Sequence, residues 1–133
     1  MTALSTTTRS DSLLRLAMRA DAVCSALCGI AFAAATRPLS SFTGMPTSVL
    51  YGLGVGFMLY GITVFVLAGL TQVRAAGIGV AVANALGTVI AIVVVVSGVL
   101  PLTTAGVVVV LASGVYTLVF ADLQYLGVRR IKE

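Results

Sequence analysis

The chain contains no histidine and no tryptophan. The missing imidazole removes His-ligated zinc, bis-His haem and every histidine-based acid, base or nucleophile scheme. Its two cysteines, Cys24 and Cys28, stand four apart on one expected helix, which is neither a Cys-x-x-Cys spacing nor a geometry that readily forms a disulfide. They read as small buried fillers. No metal set and no cofactor motif emerges, and the chain reads as a non-enzyme.

Charge is the second scarcity. Only 9% of the 133 residues are charged, where a soluble domain carries about 25%. The 4 acids and 8 bases are also segregated. Arg9, Asp11, Arg15, Arg19 and Asp21 come first, Arg129, Arg130, Lys132 and Glu133 come last, and only Arg37, Arg74 and Asp122 lie between. The net charge of +4 sits at segment ends without interleaved aromatics, so nucleic acid is not an expected partner. Anionic lipid headgroups fit better.

Hydrophobic tracts fill the space between the charges: 59% of residues are hydrophobic and the mean hydropathy is +1.15. Four spans are expected, at about 13–35, 46–70, 75–100 and 103–126, each long enough at 1.5 Å per residue to cross roughly 30 Å of hydrocarbon. The runs IVVVV and VVVV would favour strands in water, but in a bilayer every backbone group must be satisfied internally, and barrel alternation is missing. The expected fold is therefore an all-α antiparallel bundle of four transmembrane helices. Residues 1–12 read as a polar tail and 127–133 as a basic one. Thr36-Arg37-Pro38 is expected to stop the first helix, Pro46 to open the second, and Pro101 with Thr103 or Thr104 to separate the last two.

With four spans, the N-terminus, the 71–74 turn and the C-terminus share one side. That side holds Arg9, Arg15, Arg19, Arg74, Arg129, Arg130 and Lys132 against Arg37 alone on the other, so the positive-inside rule expects both termini in the cytoplasm. A cleaved signal peptide ending near Ala33-Ala34-Ala35 competes with this reading. The aspartate early in its apolar core and the fourteen residues ahead of it oppose that alternative.

Polar residues within the spans form two expected groups. Asp21, Asn84 and Asp122 fall at roughly 7 to 13 Å from the cytoplasmic surface, with Arg19, Arg74 and Gln124 in reach of that layer. They form either a vestibule where Asp21 or Asp122 binds a cation or proton, or a clasp pairing Asp122 with Arg19 and Asp21 with Arg74 or Asn84. Asp21 shares its face with Ala17, Met18, Cys24, Ser25 and Cys28. Nearer mid-membrane, Tyr60, Thr63, Thr88, Ser113, Tyr116 and Thr117 line either a small-molecule cavity or a set of interhelical hydrogen bonds. YGLGVGFMLYG at 51–61 contains Gly52-x-x-x-Gly56, a small-residue seam expected to pack helices inside the bundle.

The segments LLRLAMRADAVCSALCG, VANALG and FADLQYLGVRR, on a four-span plan over 13–130, resemble small four-helix inner-membrane proteins of high-GC bacteria and are similar in broad plan to DoxX-like proteins. That resemblance implies the fold and carries over no site residue. Small multidrug exporters also have four spans and an acid in the first. Their acid is central and ringed by aromatics including tryptophan, and many insert in both orientations, which the charge bias here opposes. The expected function is non-catalytic: an accessory or scaffold subunit, or a binder of lipid or an apolar ligand, with a membrane-protein partner or a second copy as company. The alternative is a small transporter coupled to protons or cations through Asp21 or Asp122.

Overall fold

The computed structural model describes residues 2–131, with side-chain surroundings from residue 10 onward. Met1, Lys132 and Glu133 lie outside the described residues, and with the latter two goes the end of the expected basic tail. Five helices make up the described chain: α1 (Thr2–Ala34), α2 (Thr36–Thr43), α3 (Thr47–Leu67), α4 (Arg74–Ser97) and α5 (Thr104–Arg129). Four segments are long and apolar enough to cross a membrane: Ser10–Ala34 of α1, and α3, α4 and α5 whole. The valine runs are helical and no strand occurs among the described residues.

The start of the first helix differs from expectation. Helix α1 starts at Thr2, so the segment read as a polar tail continues the first span's helix beyond its apolar part. At the other end the first helix stops where expected, ahead of Pro38. Proline has no N–H to give the carbonyl four residues back, that of Ala34, so α1 ends there. Within α2, Pro38 falls in the first turn, where N–H groups have no intrahelical partner, so a short second helix forms directly. The Thr36 hydroxyl donates back to the carbonyls of Phe32 (2.7 Å) and Ala33 (2.9 Å) in the last turn of α1. Gly44 closes α2 at φ 78°, a left-handed conformation open to glycine.

Helix α1 is the centre of the bundle. It packs antiparallel on α3 and on α5, α4 packs on α5, and α1 touches α4 more lightly. Its inward face is Leu14, Met18, Asp21, Ala22, Ser25 and Gly29, a helical repeat of three and four. Contact with α3 is backbone on backbone. A Cβ on Gly29 would lie 2.8 Å from the Met58 nitrogen, and one on Gly54 would lie 2.8 Å from the Gly29 carbonyl, so only glycine permits this crossing. The expected seam at Gly52 and Gly56 is not the internal one. Both glycines face open space, and Gly54 and Gly61 on the opposite side of α3 take the contact.

Two apolar clusters result. Leu14, Met18, Ala22, Val64, Ala68, Val73, Val80 and Val128 form one at the end that carries both termini. Met45, Leu50, Ala91 and Val110 form the other at the far end. The far end is tied by Thr103, whose hydroxyl donates to the Phe42 carbonyl (2.6 Å) and accepts from the Gly106 N–H (3.0 Å) as the N-cap of α5.

Arg15 holds the terminal end. Its guanidinium donates to the carbonyls of Ala68 (2.8 Å), Leu70 (2.6 Å) and Thr71 (3.1 Å), where α3 ends, and to Asp11 Oδ2 (2.9 Å). Ala68 is the C-cap of α3 and Leu70 and Thr71 lie in the turn after it, and one planar fork serves all three carbonyls. Arg15→Ala is expected to lower stability by about 1.5–3 kcal/mol, the worth of charged hydrogen bonds, and Arg15→Lys to restore under half of that, because one ammonium cannot span the set. Thermal unfolding in a fixed detergent measures both.

Candidate functional site

Between the two apolar clusters sits one concentration of buried polarity, centred on Asp21. On α3, α4 and α5 its contributors fall between the residues of the two clusters: Tyr60 lies between Leu50 and Val64, Asn84 between Val80 and Ala91, and Tyr116 and Gln124 between Val110 and Val128. Asp21 and Gln124 are 0% exposed and Asn84 is 4% exposed. Tyr60 and Tyr116 are half-buried.

Five side-chain donors from all four spanning helices converge on the Asp21 carboxylate. Oδ1 accepts from the Ser25 hydroxyl one turn along α1 (3.2 Å) and from the Tyr116 hydroxyl of α5 (2.9 Å). Oδ2 accepts from the Tyr60 hydroxyl of α3 (2.9 Å), Asn84 Nδ2 of α4 (2.9 Å) and Gln124 Nε2 of α5 (3.1 Å). Asn84 Nδ2 spends its second hydrogen on Gln124 Oε1 at 2.9 Å, closing a triangle of carboxylate and two amides. Tyr116 also reaches the Asp21 backbone carbonyl at 3.3 Å. An ionised carboxylate only accepts hydrogen bonds, and every neighbour here donates. No cation among the described residues takes part.

The expected groupings are rearranged. Asp21 and Asn84 do meet, but Asp122, Arg19 and Arg74 face outward and take no part, so neither the Asp122–Arg19 nor the Asp21–Arg74 pair forms. The residue α5 sends to Asp21 is Gln124, two positions beyond Asp122 and on the other side of the helix. The physical signal was available in FADLQ. A second carboxylate beside Asp21 would add like charge, whereas an amide can donate to it. Asp122→Asn is accordingly expected to change stability by less than about 0.5 kcal/mol in the same unfolding assay.

Tyr60 and Tyr116, expected in a separate mid-membrane layer, belong to the shell of Asp21. The rest of that layer does not line one cavity. Thr63 and Ser113 face outward and bond back to Leu59 O (2.8 Å) and Val109 O (2.9 Å) of their own helices. Thr88 and Thr117 join α4 to α5 through a 2.7 Å hydroxyl bond in which one donates to the other, and the second hydroxyl hydrogen is left for the Gly114 carbonyl, 3.0 Å from both oxygens. Cys24 and Cys28, expected as buried fillers on the acid's face, are exposed. Of that face only Ala17, Met18 and Ser25 turn inward with Asp21.

Among the described residues, no group of three or more Cys, Asp and Glu side chains converges to hold a metal ion. Elsewhere, a shallow groove between α1 and α3, lined by Ala22, Ala26, Gly61, Ile62, Phe65 and Val66, is almost wholly apolar. The chain matches no protein-family model, no curated protein and no solved structure.

Proposed function

We propose that this is a small non-catalytic integral membrane protein, acting as an accessory or scaffold subunit or as a binder of lipid or an apolar ligand. The observation that carries the reading is the closed shell of Asp21. The most buried polar groups are spent on one another, and the outer surface is dominated by exposed large hydrophobics such as Leu59, Ile62, Phe65, Ile90 and Val96. A protein of this kind meets its partners through lipid-facing surface, by close packing or by seating an acyl chain. The groove between α1 and α3 is one surface suited to an apolar ligand.

The cationic residues gathered at the end that carries the termini support a bacterial cytoplasmic membrane with both termini inside, against anionic headgroups. Kinship with DoxX-like proteins is part of the same proposal and rests on the resemblance of the sequence alone. Native mass spectrometry of material extracted in mild detergent tests the functional reading. Retained lipid or a second protein is expected, and a bare monomer in every preparation would overturn it.

A second reading, a transporter coupled through Asp21, is favoured by the lack of any cation in its shell. Asp122 is the weaker coupling acid, since it faces outward alone. Proton-driven flux in proteoliposomes that Asp21→Asn abolishes would establish transport, and unaltered passive leak would exclude it.

A further inference from the structure

Charge balance at Asp21 leads beyond both readings. A carboxylate is fully buried among apolar helices, and all five of its partners are neutral. Hydrogen bonds offset part of the cost of taking such a charge out of water, but ionised groups inside membranes ordinarily pair with an opposite charge or give up their own. Arg15 is engaged with Asp11 and the end of α3, and Arg19 and Arg74 face outward. The titratable groups facing Asp21 from the elements packed against it are Tyr60 on α3 and Tyr116 on α5. Helix α4 presents the neutral Asn84, and on α1 itself Cys24 stands near Tyr116. Among the described residues no positive partner reaches it.

We propose that Asp21 is a binding site for a single proton, taken up on Oδ1. The five contacts at 2.9–3.2 Å bring every donor directly against the carboxylate, which leaves a proton room and an alkali cation none without spreading the helices. The two oxygens are not equivalent. Oδ2 faces two amide N–H groups, which only donate from that end, plus Tyr60. Oδ1 faces only hydroxyls, Ser25 and Tyr116, and a hydroxyl accepts as well as donates. When Oδ1 is protonated, its O–H donates to Ser25 or Tyr116. That hydroxyl turns its own hydrogen away, to the nearby Asp21 carbonyl in the case of Tyr116. The three bonds to Oδ2 persist. One proton is taken from water and returned to it, no bond between heavy atoms changes, and the shell accommodates both states by rotating one O–H. The site requires no transport and is independent of what the lipid-facing surface binds.

The chain offers a clean test because it has four acidic side chains, Asp11, Asp21, Asp122 and Glu133. In the triple variant Asp11→Asn, Asp122→Asn, Glu133→Gln, Asp21 is the sole side-chain carboxyl. Infrared difference spectroscopy of this variant in nanodiscs, titrated over the range in which it stays folded, is expected to show a protonated-carboxyl C=O stretch that appears on acidification and vanishes reversibly on return. Adding Asp21→Asn should remove that band completely. Tyr116→Phe and Ser25→Ala should shift its frequency more than Tyr60→Phe does. Should Asp21→Asn not fold, the triple variant still decides, since Asp21 is its only buried carboxyl. A carboxylate signal that never protonates, a protonated signal that never responds to pH, or a response to sodium at constant pH would each overturn the proposal, the last in favour of an alkali-cation site.

Discussion

Leucine in place of Asp21 is expected to cost the bundle about 3 kcal/mol, set by the neutral donors it strands. Two opposing effects decide the sign. Deleting the acid relieves the cost of keeping it in a membrane, about 2.5–3.5 kcal/mol on insertion scales. It also strands the donors that surrounded it, at about 1–3 kcal/mol for each group that finds no new acceptor. Tyr116 has the backbone carbonyl of residue 21, Ser25 can turn to a carbonyl of its own helix as helical serines do, and Asn84 keeps Gln124, but Tyr60 and an N–H from each amide are left bare. Adding Tyr60→Phe to the leucine variant is therefore expected to recover part of the loss, because replacing both partners of a buried hydrogen bond is far cheaper than replacing one. Asparagine should behave differently. Its oxygen can serve the Oδ2 side and its NH2 can donate to the two hydroxyls, so a cost near 1 kcal/mol is expected. Unfolding in a denaturing-detergent titration ranks the variants. A leucine variant as stable as the parent would contradict the clasp.

The second large effect is steric and falls within a five-residue stretch of α3. Gly54→Leu is expected to cost about 3 kcal/mol or more and to part α1 from α3, while Gly52→Ala and Gly56→Ala leave stability unchanged or slightly raised. At Gly54 even a Cβ would lie 2.8 Å from the Gly29 carbonyl and 2.9 Å from the Ala33 nitrogen, and backbone on both sides cannot yield. Overpacking of this kind typically costs about 1–3 kcal/mol for a few added methylenes, and a whole isobutyl group exceeds that. At Gly52 and Gly56 a Cβ meets nothing within 4 Å, so alanine adds helix propensity without a clash. Thermal stability of the three variants in one detergent is sufficient, and equal losses at all three positions would show that the inward face of α3 has been misassigned.

This contrast marks where sequence reasoning succeeds and where it stops. The four spans were legible because hydrocarbon leaves a backbone almost no choice but helix, so length and composition suffice. Asp21, Asn84, Tyr60 and Tyr116 could be singled out as polar residues in apolar tracts. Their union into one site is not legible, because position along a helix fixes only the depth of a Cα atom, and a tyrosine hydroxyl stands a full ring away from its Cα. The rotation of each helix was also out of reach. Gly52, Gly54 and Gly56 are equivalent as letters, and so nearly are Asp122 and Gln124, yet one member of each set faces the interior and the others face lipid. A spanning helix apolar on every side carries little amphipathic signal to orient it.

The packing of α1 between α3 and α5 has a consequence for biogenesis. The chain is synthesised from its N-terminus, so α1 and α3 can pair while α4 and α5 are still to come. In that half-built state Asp21 has Ser25 and Tyr60 as side-chain partners, and three of its five donors arrive only with the later helices. An unfinished bundle thus carries a partly served acid in the membrane, and only the arrival of the last two helices completes its set of donors.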